Sequence, residues 1–314
     1  MTEQTRVNIV EIGPRDGFQN VRDFIPTALK IEIIEGIISA GVQRMQLTSF
    51  VSQAAIAQMR DAEIVSRHCI SRYPDCQFSA LVPNFHGARL AQACGYREIT
   101  PVISLSETHN LKNVNKTHRQ SLDEIARIRQ HFPDLRIVQD IATVFGCPYE
   151  GRMATPPLLA LIAALAAEGI DEFTLCDTIG VAYPGQVLST LNAVRAAFPA
   201  VRLNIHIHDT RNMGIINSYL AATWPVDAIQ TSLGDWAAAP LRRAPPAIRP
   251  RRIWFTCCTR RGWRPGSILP VCWPRRSICI SMSRAATAAT IYTSAPARRT
   301  LPPRAQGVIR WNTP

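Results

Sequence analysis

From Trp236 to Pro314 the chain contains no aspartate, no glutamate and no lysine. An absence that long excludes helix faces laced by ion pairs, and no apolar period of 3.6 or 2 persists there. The same 79 residues hold 15 of the 35 basic side chains, all arginine, with 11 of the 23 prolines and 5 of the 6 tryptophans. Runs such as Arg249-Pro250-Arg251-Arg252 and Pro302-Pro303-Arg304 interrupt any regular element. Elsewhere, no apolar run approaches the roughly 20 residues that span a bilayer, so no membrane partner is expected. Cys-x-x-Cys is also missing, which leaves Cys69, Cys76, Cys94, Cys147 and Cys176 without a metal or disulfide spacing. Reduced thiols and a first strand with no secretory leader before it predict a cytoplasmic protein.

The basic balance is misleading for the same reason. The whole chain is +12, but residues 1–235 carry 20 basic and 23 acidic side chains, a net −3. A mildly acidic body without a recognition-module pattern predicts no nucleic-acid partner. The tail reads instead as a GC-rich gene translated out of frame. Codons for Asp235 to Trp254 can be re-read two bases later to give Gly-Gly-Cys-Pro and Gly-Ala-Thr-Gly-Asn, restoring glycines and helix caps. Codons for Cys258 to Ile268 re-read at the same offset restore acidic residues. The expected division is therefore a folded domain over 1–235 and a non-native, disordered tail over 236–314.

Up to that joint, strand-like and helix-like segments alternate. Strands are predicted at 7–12, 44–48, 77–82, 98–105, 135–144, 172–176, 202–206 and 228–232. Helices are predicted at 26–40, 54–67, 87–94, 121–131, 156–167, 183–198 and 213–222. Alternation at this period argues for parallel strands with right-handed crossovers, and eight units match a (β/α)8 TIM barrel. The eighth strand ends where the text changes, so the barrel is expected to be incomplete at its eighth unit. Exposing apolar surface there, at about 25 cal/mol per Å2, can exceed a margin of about 5–15 kcal/mol. The chain as written is thus expected to be poorly soluble or partly unfolded. A doubly wound open sheet is the alternative, but no Gly-x-Gly-x-x-Gly turn follows the first strand.

In such a barrel the C-terminal strand ends converge on one face, where chemistry sits. In Leu203-Asn204-Ile205-His206-Ile207-His208 the apolar side chains face one way and Asn204, His206 and His208 the other. Two imidazoles so placed can hold a divalent cation when a hard oxygen ligand joins them, and Asp16 would supply it. Arg15, beside Asp16, could steady a developing oxyanion. Taken singly, Asp16 reads as well as a turn cap and Arg15 as a surface arginine. The other polar strand ends are Thr48-Ser49-Phe50 and Cys176-Asp177-Thr178-Ile179-Gly180.

The stretch from Val7 to Asn20, with Gly13-Pro14-Arg15-Asp16-Gly17 at its centre, resembles the first-strand signature of hydroxymethylglutaryl-CoA lyases. So do Thr48-Ser49-Phe50-Val51-Ser52, Phe145-Gly146-Cys147-Pro148-Tyr149-Glu150-Gly151, Asp177-Thr178-Ile179-Gly180 and His206-Ile207-His208-Asp209-Thr210. The resemblance runs in order from about Val7 to Gly234. It implies a metal-dependent TIM-barrel lyase that cleaves 3-hydroxy-3-methylglutaryl-CoA to acetyl-CoA and acetoacetate, with Mg2+ or Mn2+ as cofactor. The implied metal ligands are Asp16, His206 and His208, and the implied catalytic residues are Arg15, Asp16 and Asp177. Gln19, Arg22, Ser49 and Thr178 would contact the acyl-CoA, Arg22 through the CoA phosphates, although a solvated Arg22 is an equal reading. A homo-oligomer is left open.

Three departures accompany the resemblance. The family has an acidic residue where Gln46 stands, and an amide cannot accept a proton as a base. Its lid cysteine and the asparagine that completes its metal shell fall beyond Trp236, where only the shifted frame restores them. Gln46 keeps open a related thioester such as a citramalyl-CoA, and the lost lid keeps open an inactive product of a damaged gene.

Overall fold

The computed structural model describes residues 8–232. Eight strands alternate with helices along that length. They are β1 (Asn8–Glu11), β2 (Arg44–Ser49), β3 (Gln77–Val82), β4 (Glu98–Ser104), β5 (in two pieces, Arg136–Ile137 and Gln139–Ala142), β6 (Glu172–Asp177), β7 (Arg202–Ile207) and β8 (Ala228–Thr231). Every neighbouring pair is parallel, and β8 returns to β1 through the register Asn8↔Ala228 to Glu11↔Thr231. The sheet therefore closes on itself: the fold is a (β/α)8 TIM barrel. The helices are α1 (Thr27–Ser39), α2 (Ala62–Arg72), α3 (Phe85–Ala93), α4 (Glu107–Val114), α5 (His118–His131), α6 (Thr155–Ala167), α7 (Pro184–Ala197) and α8 (Gly214–Ala222). The break expected in the eighth unit after β8 and the whole expected tail lie outside the described residues. Among the described residues no helix is long and apolar enough to cross a membrane.

The period-2 pattern of the strands explains the layers. Met45, Leu47, Ile99, Ile103, Ile141, Phe173, Leu175, Leu203, Ile205 and Ile207 are buried in one apolar cluster with helix residues such as Ile34, Val65, Ile162, Leu165 and Leu191. Residues between them point into the barrel, which is why its interior is polar at Gln46, Asp140, Thr174, Asn204 and His206. Two helices differ from expectation. In place of one helix over 54–67, a 3-10 turn (Ala57–Met59) precedes α2. Gln58 there is drawn off to bond the backbone of Val21, Asp23 and Ile25. α4 was not foreseen: it is short, starts at the Ser106 cap, which accepts from His109 N–H, and stops at Asn115 in the left-handed region.

The end of the barrel away from the strand C-termini is closed by ion pairs. Glu172 accepts from Arg44 (3.1 Å), Arg202 (3.1 Å) and Arg136, while Glu98 pairs with Arg44 (3.4 Å) and Arg136 (3.2 Å). Burial opposes the charge on Glu172, but Asn204, Arg44 and Arg136 outweigh it and hold the carboxyl below its ordinary range. A depressed carboxyl stabilises the fold above the unfolded-state pKa, and that stability disappears as pH falls through the folded-state value. Glu172→Gln is expected to cost about 1–3 kcal/mol at neutral pH, because Arg44 keeps only Glu98 as a partner while the part-exposed Arg136 and Arg202 fall back on other carboxylates and water. Urea denaturation of both proteins at pH 7 and pH 4 checks this, because the gap must narrow at the lower pH.

Candidate active site

A wide helical turn, Gly13–Gly17, leaves the end of β1 and buries all five of its residues. Arg15 N–H and Asp16 N–H both donate to the Ile12 carbonyl, at 3.0 and 2.7 Å. Consecutive side chains normally diverge; here the wound backbone turns both into the barrel mouth, as such turns often do at functional sites. Arg15 Nη1 lies 2.6 Å from Asp16 Oδ1, and Arg15 Nε donates to Gln46 Oε1 on β2. Gln19 Nε2 donates to the same Asp16 oxygen at 2.9 Å.

Across the mouth, His206 and His208 reach Asp16 Oδ2. Their Nε2 atoms are 4.0 and 3.4 Å from that oxygen and 3.1 Å from each other. The far side of each ring is fixed. His208 Nδ1 donates to the Thr178 carbonyl at 2.6 Å, and His206 Nδ1 to Gln230 Oε1 on β8 at 2.7 Å. With Nδ1 carrying the hydrogen, each neutral ring presents its Nε2 lone pair to the other and to a carboxylate. In that form the three atoms converge as acceptors that one divalent cation could share. Edges of 3.1 and 3.4 Å fit adjacent positions around an ion with bonds of about 2.1 Å, and the third edge is more open. Among the described residues these three form the one group of His, Cys, Asp and Glu side chains with such spacing.

The electrostatics of Asp16 and His206 suit a ligand set, whereas Asp16 draws His208 toward its protonated form. Burial works to raise the Asp16 pKa, but Arg15, His208 and His206 overcome it and keep the carboxylate ionised far below its usual range. Burial, with His208 beside it, drives His206 down to about 3, so that ring stays neutral. Burial also acts against charge on His208, and the Asp16 carboxylate outweighs it, so its pKa rises.

Of the residues expected from sequence, Arg15, Asp16, Gln19, His206, His208 and Thr178 come together in this cluster. Thr178 takes part through its carbonyl, while its hydroxyl accepts from Thr143 N–H at 2.7 Å. Asp177 spends both carboxylate oxygens on the N–H groups of Val181 and Ala182, at 2.9 and 3.0 Å. Ser49 is buried, with its hydroxyl unpaired, and Arg22 is exposed outside the cluster. Two participants were not foreseen. Gln230 and Asp140 each stand beside another polar residue on a short strand, Thr231 and Gln139, and only barrel register reveals that they point inward.

One glycine is required where the β6 and β7 loops meet. Gly180 has φ +64°, and a Cβ there would overlap the Thr210 hydroxyl and approach Thr210 N at 2.8 Å and the His208 carbonyl at 3.1 Å. Gly180→Ala is expected to shift the His208 loop and weaken divalent-metal affinity about 10–100-fold, the loss typical of disturbed ligand support. Calorimetric titration with Mn2+ reads this directly, and unchanged affinity would contradict it.

A closed barrel with a carboxylate and two imidazoles at its strand ends defines a metal-site TIM-barrel enzyme. Residues 6–234 match the HMGL-like family. The chain is 37% identical to the hydroxymethylglutaryl-CoA lyase of Bacillus subtilis over 237 residues, which cover 75% of this chain and 79% of that one. It is 32% identical to the (R)-citramalyl-CoA lyase of Chloroflexus aurantiacus over 253 residues, covering 77% and 79%. An HMG-CoA lyase from Acinetobacter baumannii, solved with coenzyme A and 3-methylmalate, superposes with a TM-score of 0.86 at 27% identity, covering 97% of this chain and all of that one. The protein belongs to the HMGL-like family and is a carbon–carbon lyase of the HMG-CoA lyase kind.

Proposed function

We propose that this protein cleaves 3-hydroxy-3-methylglutaryl-CoA to acetyl-CoA and acetoacetate with Mg2+ or Mn2+ held by Asp16, His206 and His208. The observation that carries the reading is the convergence of three metal-type acceptors beside a buried arginine. A bound divalent ion would act as a Lewis acid, lowering the pKa of the substrate's tertiary hydroxyl. Arg15, fixed between Gln46 and Asp16, is placed to steady the thioester enolate as charge develops on its oxygen. Gln19, Gln230 and the Thr178 carbonyl hold the three ligands in orientation. Asp177 organises the loop that carries that carbonyl, and Arg22 and Ser49 are assigned to acyl-CoA contact.

A second substrate is supported by a specific residue. Gln46 is neutral and bonded to Arg15, and a relative with the name (R)-citramalyl-CoA lyase is 32% identical. The experiment supplies both thioesters with Mg2+ or Mn2+ and identifies the keto product, acetoacetate in one case and pyruvate in the other. Chelation is expected to stop turnover, and Arg15→Met to lower kcat by about 10²–10³, the range for losing one oxyanion donor. Turnover indifferent to both chelator and Arg15 would refute the reading.

A further inference from the structure

Carbon–carbon cleavage of this kind needs a group that accepts the hydroxyl proton, and the carboxylates of the barrel can be taken in turn. Asp16 is committed to Arg15, Gln19 and the histidines. Asp177 has both oxygens on backbone N–H groups. Glu98 and Glu172 are bound by arginines at the opposite end. Glu11, in register with Met45 of the outer cluster, faces away from the interior. Gln46 stands near Arg15 but is an amide.

Among the carboxylates on the described strands, Asp140 is what remains. It lies on the inner face of β5, in register with Thr174 of β6 on one side and Val102 of β4 on the other. It is buried, at 3% exposure, and its Oδ1 accepts no hydrogen bond. Val102 beside it is part-exposed, so this level of the barrel opens on the mouth. The charged and titratable groups that act on it are Arg15 and Asp16 from the turn after β1 and Cys176 from β6, with Glu98 at a distance from the far end of β4. Burying a carboxylate with one oxygen unpaired is costly, and such a group in the interior of an enzyme's mouth is a candidate for chemistry.

We propose that Asp140 is the proton-accepting residue of the cleavage, standing on β5 and performing the task that Gln46 on β2 cannot. This rests on the lyase reading above. Asp140 takes the proton of the tertiary hydroxyl, and the O–H pair becomes the new C=O bond of the departing ketone. The carbon–carbon bond breaks, and its electron pair passes to the thioester enolate. One proton added to the enolate carbon gives the methyl group, so a proton leaves oxygen and a proton reaches carbon, with nothing oxidised or reduced. Burial lifts the Asp140 carboxyl to about 7; Arg15 and the neighbouring Thr174 hydroxyl pull it back, and Asp16 and Glu98 add to the rise. A base poised near neutrality is suited to taking a proton and releasing it.

The test compares Asp140→Asn, Gln46→Glu and the double variant, in the full chain and in a version with the reading frame restored after Gly234. Asp140→Asn is expected to lower kcat by about 10²–10⁴, the usual contribution of a general base, with KM little changed. Adding Gln46→Glu is expected to recover much of that loss, because it returns a carboxylate beside Arg15. The acid limb of the pH–rate profile is expected to move to lower pH in the double variant, since Arg15 favours the charged form of its new neighbour. A purely structural Asp140 would show neither rescue nor a moved limb. Asp140→Asn at the wild-type rate would overturn the assignment and leave the lyase reading standing. Absence of turnover in both unmodified versions, with either thioester, would overturn both.

Discussion

Asp16→Asn is expected to abolish tight binding of one divalent ion and to lower kcat by on the order of 10³ or more. The asparagine keeps the shape of the side chain but removes the charge that answers Arg15 on one side and a cation on the other. Its amide nitrogen, if turned toward the histidines, would donate into lone pairs that otherwise face a metal. Lewis-acid assistance contributes several kcal/mol, and each 1.4 kcal/mol is about tenfold in rate, which sets the expected scale. The burial of Asp16 at 4% exposure means that water cannot replace the lost charge. Assay with saturating Mn2+ checks the outcome, and rates within tenfold of wild type would exclude Asp16 as a ligand. Thermal melts of the two proteins, run alongside, separate lost chemistry from lost fold.

The second large effect concerns the sequence after Gly234. Sequencing the encoding DNA across the codons for Leu233 to Arg242 is expected to reveal a displaced base. Correcting it is expected to raise turnover by on the order of 10² or more, the scale of a missing general acid. The resemblance assigns enolate protonation to a cysteine in a glycine-rich segment, and Gly-Gly-Cys-Pro exists only in the shifted frame. Family similarity over residues 6–234 stops beside that joint. A confirmed frame, together with ordinary turnover of about 1–10³ s⁻¹ by the chain as written, would refute the expectation.

Much of the barrel was legible because its strands carry an apolar face that repeats every second residue. β3 begins and ends where the sequence predicts, at Gln77 and Val82, with Phe78, Ala80 and Val82 forming its apolar face. The metal-type cluster was legible because His206 and His208 share one strand face, and Asp16 closes the first strand's turn. What the pattern could not supply was the relation between distant strands. Asp140 and Gln230 belong to no motif and are not told apart from their polar neighbours Gln139 and Thr231 until register sets Asp140 beside Thr174 and a 2.7 Å bond joins Gln230 to His206. α4 was missed because its eight residues, Glu-Thr-His-Asn-Leu-Lys-Asn-Val, bury only Asn110 and show no apolar stripe. The delayed start of α2 depends on Gln58 bonding a loop more than thirty residues earlier, which no local propensity encodes.

Titration of the full chain with Mn2+, followed by the electron-spin resonance of the free ion, tests the account most directly. One ion bound per chain, and none in a variant carrying both His206→Ala and His208→Ala, is the predicted result. Equal binding by the two proteins, or no saturable site in either, would contradict a metal centre at the mouth of this barrel.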